Sequence, residues 1–142
     1  DTGAPGLRED APETNRTILV RAGKVYIFVM ALIFLGAGLT PLAERFVAKM
    51  PTWALFWANS VSAILDNATL AAAEIAPVMT DRQITFILMG LLVSGGMLIP
   101  GNIPNIVSSA KLGIKSREWA RAAVLPGAAL MAVYFVLLTL LA

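Results

Sequence analysis

The stretch V-S-G-G-M-L-I-P-G-N-I-P-N, residues 93–105, decides which fold we expect of this chain. It follows an apolar run at residues 84–92 that begins like a membrane helix. Paired glycines and prolines destabilise a helix, so the helix should break here. In lipid, a broken helix is tolerated only where its freed carbonyl groups are buried in protein or line a cavity. The stretch therefore predicts a discontinuous helix of the kind that binds ions in transporters. The alternative is a surface loop that ends a short helix.

The composition predicts a membrane protein. Hydrophobic residues make up 58% of the 142 residues and charged residues only 14%, whereas a soluble domain has about 25% charged residues. The chain has no cysteine and no histidine, which excludes disulfides, thiol catalysis and histidine proton relays. No nucleophile–base pair, phosphate loop or haem ligand set is present, so we expect no enzyme and no cofactor beyond Na⁺ or H⁺ as a transported ion. The net charge of +2 is too small and too scattered to predict a nucleic-acid partner.

Two apolar stretches are long enough, at about 20 residues each, to cross a bilayer as helices. Between them, two half-length apolar arms surround a polar tip, which predicts a re-entrant hairpin. A basic segment that contains Trp119 predicts an amphipathic surface helix. The expected fold is an all-α integral membrane protein in contact with lipid. Its layout is a polar cytoplasmic tail or linker remnant at 1–23 and a membrane domain at 24–142, with helix 25–43, hairpin 52–79, broken helix 83–110, basic surface segment 111–121 and helix 122–142.

The placement of the basic residues predicts the topology. If the hairpin returns to the side from which it entered, eight basic residues collect on one side and three on the other. The eight are Arg8, Arg16, Arg21, Lys24, Lys111, Lys115, Arg117 and Arg121, and the three are Arg45, Lys49 and Arg82. A single crossing would give a split of five against six. The positive-inside rule favours the uneven split, and it predicts an inner-membrane protein with a cytoplasmic N-terminus and an outside C-terminus. A hairpin that crosses fully twice has the same parity and remains an alternative.

The motif S-A-I-L-D-N-A-T at residues 62–69, here called the tip, holds the strongest candidate for chemistry. It places four oxygen-bearing side chains together: Ser62, Asp66, Asn67 and Thr69. An ionisable group inside a membrane segment is by default a functional-site hypothesis, and hard oxygen ligands suit Na⁺. Asp66 could then alternate between a proton and the metal ion. The alternative is that Asp66 caps the helix that starts at Asn67, with Thr69 helping.

Glu74 is a candidate for a second titrating group. It lies two turns beyond Asp66 on the same predicted helix, so both side chains can face one side. The alternatives are that Glu74 pairs with Arg82 or lies at an interface. The aromatic residues Tyr26, Trp53, Trp57 and Trp119 are predicted to anchor the chain at the membrane surface.

The tip and the segment at residues 95–106 resemble motifs of the ion transporter superfamily, which includes NhaD-type sodium/proton antiporters, arsenite permeases and dicarboxylate carriers. The matching segments are S-A-I-L-D-N-A-T-L-A-A-A-E-I, residues 62–75, and G-G-M-L-I-P-G-N-I-P-N-I, residues 95–106. The segment K-L-G-I-K-S-R-E-W-A-R, residues 111–121, is also similar. The closest resemblance is to an uncharacterised family of predicted membrane cation transporters, and it covers residues 25–142.

The resemblance implies that the chain is one half of an inverted repeat, the C-terminal half of a secondary cation transporter. In that superfamily, each half supplies a re-entrant hairpin whose tip meets the break of a discontinuous helix. The implied ion-binding residues are Ser62, Asp66 and Asn67 at the tip and Gly101, Asn102 and Asn105 at the break, here defined as residues 95–105. A second chain, an N-terminal half or another copy must then supply the other repeat. The expected activity is Na⁺/H⁺ exchange or Na⁺-coupled transport. The alternative is a non-transporting structural or accessory subunit of a larger membrane complex.

Overall fold

The computed structural model describes residues 14–141, and all of the regular elements in this range are helices. The thirteen residues that open the predicted tail lie outside the described range. Six α-helices follow one another along the chain: α1 (Asn15–Arg45), α2 (Thr52–Ala58), α3 (Asn67–Glu74), α4 (Asp81–Gly95), α5 (Ile103–Leu112) and α6 (Ser116–Leu141). Short 3₁₀ turns at Val47–Lys49, Asn59–Ala63 and Ile99–Gly101 connect them. The all-helical fold class is confirmed.

Helix α1 is longer than the apolar run that predicts it. It begins at Asn15 rather than near Val25, so part of the expected tail is helical. Apolar residues at 18–20 extend the run towards the N-terminus, and no proline interrupts the helix before Pro41. Within the described residues, α1 and α6 are the two helices long and apolar enough to cross a membrane.

The segment between α1 and α4 forms two short arms around the tip. The first arm is α2 with the 3₁₀ turn that follows it, and the second is α3. The arms pack on different neighbours, since α2 lies against α4 whereas α3 lies mainly against α1. A Cβ at Gly36 of α1 would lie 2.8 Å from the carbonyl oxygen of Ala72 in α3, so glycine is needed where these two helices cross.

The broken helix consists of α4, the 3₁₀ turn and α5. A capping box starts α4, because the Thr80 side chain accepts from the Gln83 N–H and the Gln83 side chain accepts from the Thr80 N–H. The helix ends at Gly95. The chain resumes as α5 after Asn102, whose side chain caps the new helix. A break is therefore present within the predicted stretch.

The structure differs from the expected layout at residues 111–121, which do not form a separate surface helix. Gly113 takes a left-handed conformation, with φ of 68°, and ends α5. Helix α6 begins three residues later, where a carboxylate oxygen of Glu118 in its first turn accepts a hydrogen bond from the Lys115 N–H. The basic residues are consequently divided between two helices, and Trp119 belongs to the start of α6.

Helix α4 lies at the centre of the packing. On one side, buried apolar side chains join α4 to α1, to α2 and to the segment between α3 and α4: Ala43, Leu55, Ala76, Met79, Ile87 and Leu91. On another side, Phe56, Phe86, Met97 and Met131 form a second cluster that includes α6. Gly90 allows close contact here, since a Cβ at this position would lie 2.7 Å from the Phe56 carbonyl oxygen. These two clusters hold the tip and the break against each other.

Candidate functional site

The tip meets the break through two glycines. A Cβ at Gly101 would overlap the carbonyl oxygen of Gly95 and would lie 2.7 Å from that of Ser62. A Cβ at Gly95 would lie 3.3 Å from Ser62 Oγ and 3.4 Å from Asn67 Nδ2. Backbone from the break and polar side chains from the tip therefore share a space that leaves no room for another side chain.

Two fully buried serines join the first arm to α4 by hydrogen bonds. Ser94 Oγ lies 2.7 Å from the carbonyl oxygen of Asn59 and 2.6 Å from that of Gly90. Ser62 Oγ donates across the same contact to the carbonyl oxygen of Leu91, at 3.4 Å. The position of the tip relative to α4 is thus fixed by directional bonds as well as by packing.

Asp66 caps α3. Its Oδ2 accepts hydrogen bonds from the backbone N–H and the hydroxyl group of Thr69, each at 3.0 Å. The structure thus has the capping geometry that the sequence offered as an alternative. The second carboxylate oxygen takes no part in this cap, so capping and ion binding are chemically compatible roles for one carboxylate.

The two asparagines of the break brace its backbone. Asn102 Oδ1 accepts from the Asn105 N–H at 2.9 Å and so caps α5. Asn105 Nδ2 donates to the carbonyl oxygens of Gly95, at 2.9 Å, and Leu98, at 3.0 Å. The amide groups expected to supply oxygens to an ion therefore already satisfy backbone groups that the break exposes.

Glu74 lies at the end of α3 opposite to Asp66, and its side chain is half-buried. The expected alternative partner, Arg82, places its guanidinium carbon 5.8 Å from the centre of the Phe86 ring. Among residues 14–141, no group of three or more His, Cys, Asp or Glu side chains could hold a metal ion. An ion at the tip would therefore depend on one carboxylate and neutral oxygens.

A family model described as "Protein of unknown function (DUF1646)" matches residues 6–141. The chain belongs to the DUF1646 family. This match includes the tip, the break and both long helices. Neither a curated protein nor a solved structure matches the chain.

Sequence reasoning missed three side chains that organise this site. Asn59 and Ser94 are buried polar residues at the contact between the first arm and α4. In the sequence, each of them is only a polar residue inside an apolar run, and such a residue is a weak indication of a buried hydrogen bond. Trp119 was expected to be a surface anchor, yet its Nε1–H donates to the carbonyl oxygen of Gly96 at 3.2 Å. No local sequence pattern predicts this contact, because the two residues are 23 positions apart in the chain.

Proposed function

We propose that this chain is an integral membrane protein and the C-terminal half of a secondary cation transporter, with Na⁺ bound where the tip meets the break. The observation that carries the proposal is the pair of glycines, Gly95 and Gly101, that bring opened backbone against Ser62 and Asn67. Discontinuous-helix transporters bind ions at such places, because unwound carbonyl groups and polar side chains replace the hydration shell of the ion.

The surface of the two long helices supports the membrane placement. Large apolar side chains are exposed along both of them, including Val25, Tyr26, Ile27 and Phe34 on α1 and Val133, Val136, Leu140 and Leu141 on α6. A soluble protein rarely exposes so much continuous apolar surface to water, whereas lipid accommodates it. With the hairpin re-entrant, the positive-inside rule favours an N-terminus in the cytoplasm.

The chemistry of the tip suits a monovalent cation. Asp66 supplies one negative charge, and Ser62, Asn67 and Thr69 supply neutral oxygens in the same segment. Hard oxygen ligands favour Na⁺ over soft metal ions. One carboxylate balances the charge of one Na⁺ or one proton, which allows the two to compete and makes Na⁺/H⁺ exchange the simplest form of coupling.

The site needs a second repeat. The superfamily that the chain resembles builds its transport site from two halves, and this chain supplies one tip and one break. Beside the tip, an open groove of about 200 Å³ lies between α3 and α4, lined by Asn67 and by Ala68, Ala71, Leu88, Leu91 and Leu92. This mostly apolar groove, with an amide at its edge, is suited to packing against another helical element in lipid.

The test asks whether sodium stabilises the protein. The protein is purified from its membrane together with any chain that accompanies it. Thermal unfolding is followed at increasing NaCl, with choline chloride at equal ionic strength as reference. A ligand at 100 times its Kd should stabilise by about 2.7 kcal/mol. Asp66→Asn retains an equally good helix cap while removing the charge, so it should abolish the sodium effect without unfolding α3. Asp81→Asn, in the first turn of α4, is the control and should retain the full sodium effect.

Two further results bear on the proposal. The sodium effect should weaken as the medium becomes more acidic, since a proton and Na⁺ compete for the same carboxylate. A full sodium effect in Asp66→Asn, or none in the wild-type protein, would overturn the assignment of Na⁺ to this site.

The second candidate function is a non-transporting subunit of a membrane complex. It is favoured by the structural use of Asp66, Asn102 and Asn105, each of which bonds to the backbone of its own chain. A scaffold of this kind tolerates Asp66→Asn with no functional change, and that outcome separates it from the transporter.

A further inference from the structure

The basic segment, residues 111–121, forms the turn between α5 and α6 and lies outside the proposed sodium site. It carries four exposed cationic side chains: Lys111, Lys115, Arg117 and Arg121. Its one acidic residue is Glu118, whose Oε2 accepts a hydrogen bond from the Lys115 N–H at 3.0 Å. The segment therefore presents an excess of positive charge at one end of a helix that is long and apolar enough to cross a membrane.

A mostly apolar groove of about 310 Å³ lies along the start of α6, beside these cations. Its lining residues are Ile114, Glu118, Trp119, Ala122 and Ala123. In the helix, Glu118 directly follows Arg117 and Ala122 directly follows Arg121, so the groove and the two arginines lie on adjoining faces of α6. A cationic surface next to an apolar groove fits a molecule with an anionic headgroup and a hydrocarbon chain.

Trp119 connects this surface to the break. Its side chain lines the groove, and its Nε1–H donates to the carbonyl oxygen of Gly96 at 3.2 Å. About two turns later in α6, a Cβ at Gly127 would lie 2.6 Å from Cγ of Met97, so the helix packs closely on the break at a second position. The positive-inside rule accounts for the charges of the segment through topology alone. It requires neither a groove beside them nor a bond to the break.

We propose that the basic segment binds an anionic phospholipid. Arg117 and Arg121 hold the headgroup phosphate, because guanidinium groups donate paired hydrogen bonds to phosphate oxygens, and Lys115 adds a third positive charge. The adjoining part of an acyl chain lies in the groove against Trp119. The lipid therefore contacts the same side chain that bonds to Gly96 at the break. This inference rests on the membrane placement proposed above and does not depend on the sodium site.

Quenching of tryptophan fluorescence by brominated lipids tests the proposal, because bromine on an acyl chain quenches a tryptophan only at close range. The protein is purified as for the sodium test and reconstituted in vesicles of phosphatidylcholine and phosphatidylglycerol. The lipid composition stays constant, and the bromine, at the headgroup end of the acyl chain, is carried by one lipid or the other. We expect stronger quenching by the anionic phosphatidylglycerol, and added salt should reduce the difference. Trp119→Phe should remove the difference, since Trp119 is the tryptophan in contact with the bound lipid.

Paired substitutions locate the site. Arg117→Gln combined with Arg121→Gln should abolish the stronger quenching by phosphatidylglycerol. Arg45→Gln combined with Lys49→Gln removes the same charge near the other end of the fold and should leave it unchanged.

Three results would overturn the proposal: equal quenching by the two lipids in the wild-type protein, a preference that survives in either Trp119→Phe or the paired Arg117 and Arg121 variant, or loss of the preference in the control pair. Absence of quenching by both lipids would overturn the membrane placement, and this proposal with it. The vesicles contain no sodium, so the sodium site is tested by its own experiment and the two failures are distinguishable.

Discussion

The carbonyl oxygen of Gly95 accepts a hydrogen bond from Asn105 Nδ2 at 2.9 Å, so a side chain from α5 closes the last turn of α4. In an unbroken helix, this oxygen would accept from the N–H four residues later. The same amide nitrogen also donates to Leu98. The break is thus stabilised by its own hydrogen bonds and is an ordered segment rather than an unstructured loop.

Asn105→Leu should destabilise the protein, because it removes both bonds and leaves two partly buried carbonyl oxygens without this donor. The expected loss is about 1–3 kcal/mol in the free energy of unfolding. Thermal unfolding in detergent measures it. Ser108→Ala, at an exposed position of the same helix, is the control and should unfold like the wild type. Equal unfolding temperatures for Asn105→Leu and Ser108→Ala would contradict the bracing role.

Gly101→Ala should separate the tip from the break. The added Cβ would meet backbone oxygens of Gly95 and Ser62, neither of which can turn away as a side chain does. We expect lower stability and loss of the sodium-dependent stabilisation. Gly38→Ala is a matched control, since a Cβ there would meet nothing within 4 Å and alanine favours a helix by about 1 kcal/mol over glycine. Retention of the full sodium effect in Gly101→Ala would show that close contact between tip and break is not needed for binding.

Single cysteines test the topology, since the chain has none of its own. Cysteines at Ser116 and at Lys49 should react with a membrane-impermeant thiol reagent from opposite sides, Ser116 from the cytoplasm and Lys49 from outside. The reason is the uneven distribution of basic residues that a re-entrant hairpin produces. Labelling of both positions from one face would refute the re-entrant arrangement.

The break could be located from the sequence because its signals are local. Glycine and proline limit the backbone wherever they occur, and Asn102 caps the helix that follows it, as its residue type predicts. Pro104 lies in the first turn of α5, where the missing N–H would have no helical partner in any case. The order of helix, tip, helix and break follows from such rules, which act within a few residues.

The pairing of polar groups could not be predicted in the same way. Asn105 uses its nitrogen rather than its oxygen at the break, and the Trp119 Nε1–H donates to the carbonyl oxygen of Gly96. Each contact depends on where distant helices pack, and a single sequence does not reveal that. The start of α1 was missed for a related reason, since a polar composition with scattered charges does not distinguish a solvated helix from a flexible tail.

The length of α1 has a mechanical consequence in a bilayer. Its 31 residues span about 46 Å at 1.5 Å per residue, whereas the hydrocarbon layer is about 30 Å thick. Gly36 and Ala43, which touch the remainder of the fold, lie in the second half of the helix. In the membrane placement proposed above, the surplus length would therefore extend from the membrane at the first half of the helix, where Arg16 and Arg21 would reach the lipid phosphate groups. A change in membrane thickness that tilts α1 would therefore also shift α3, which crosses α1 at Gly36.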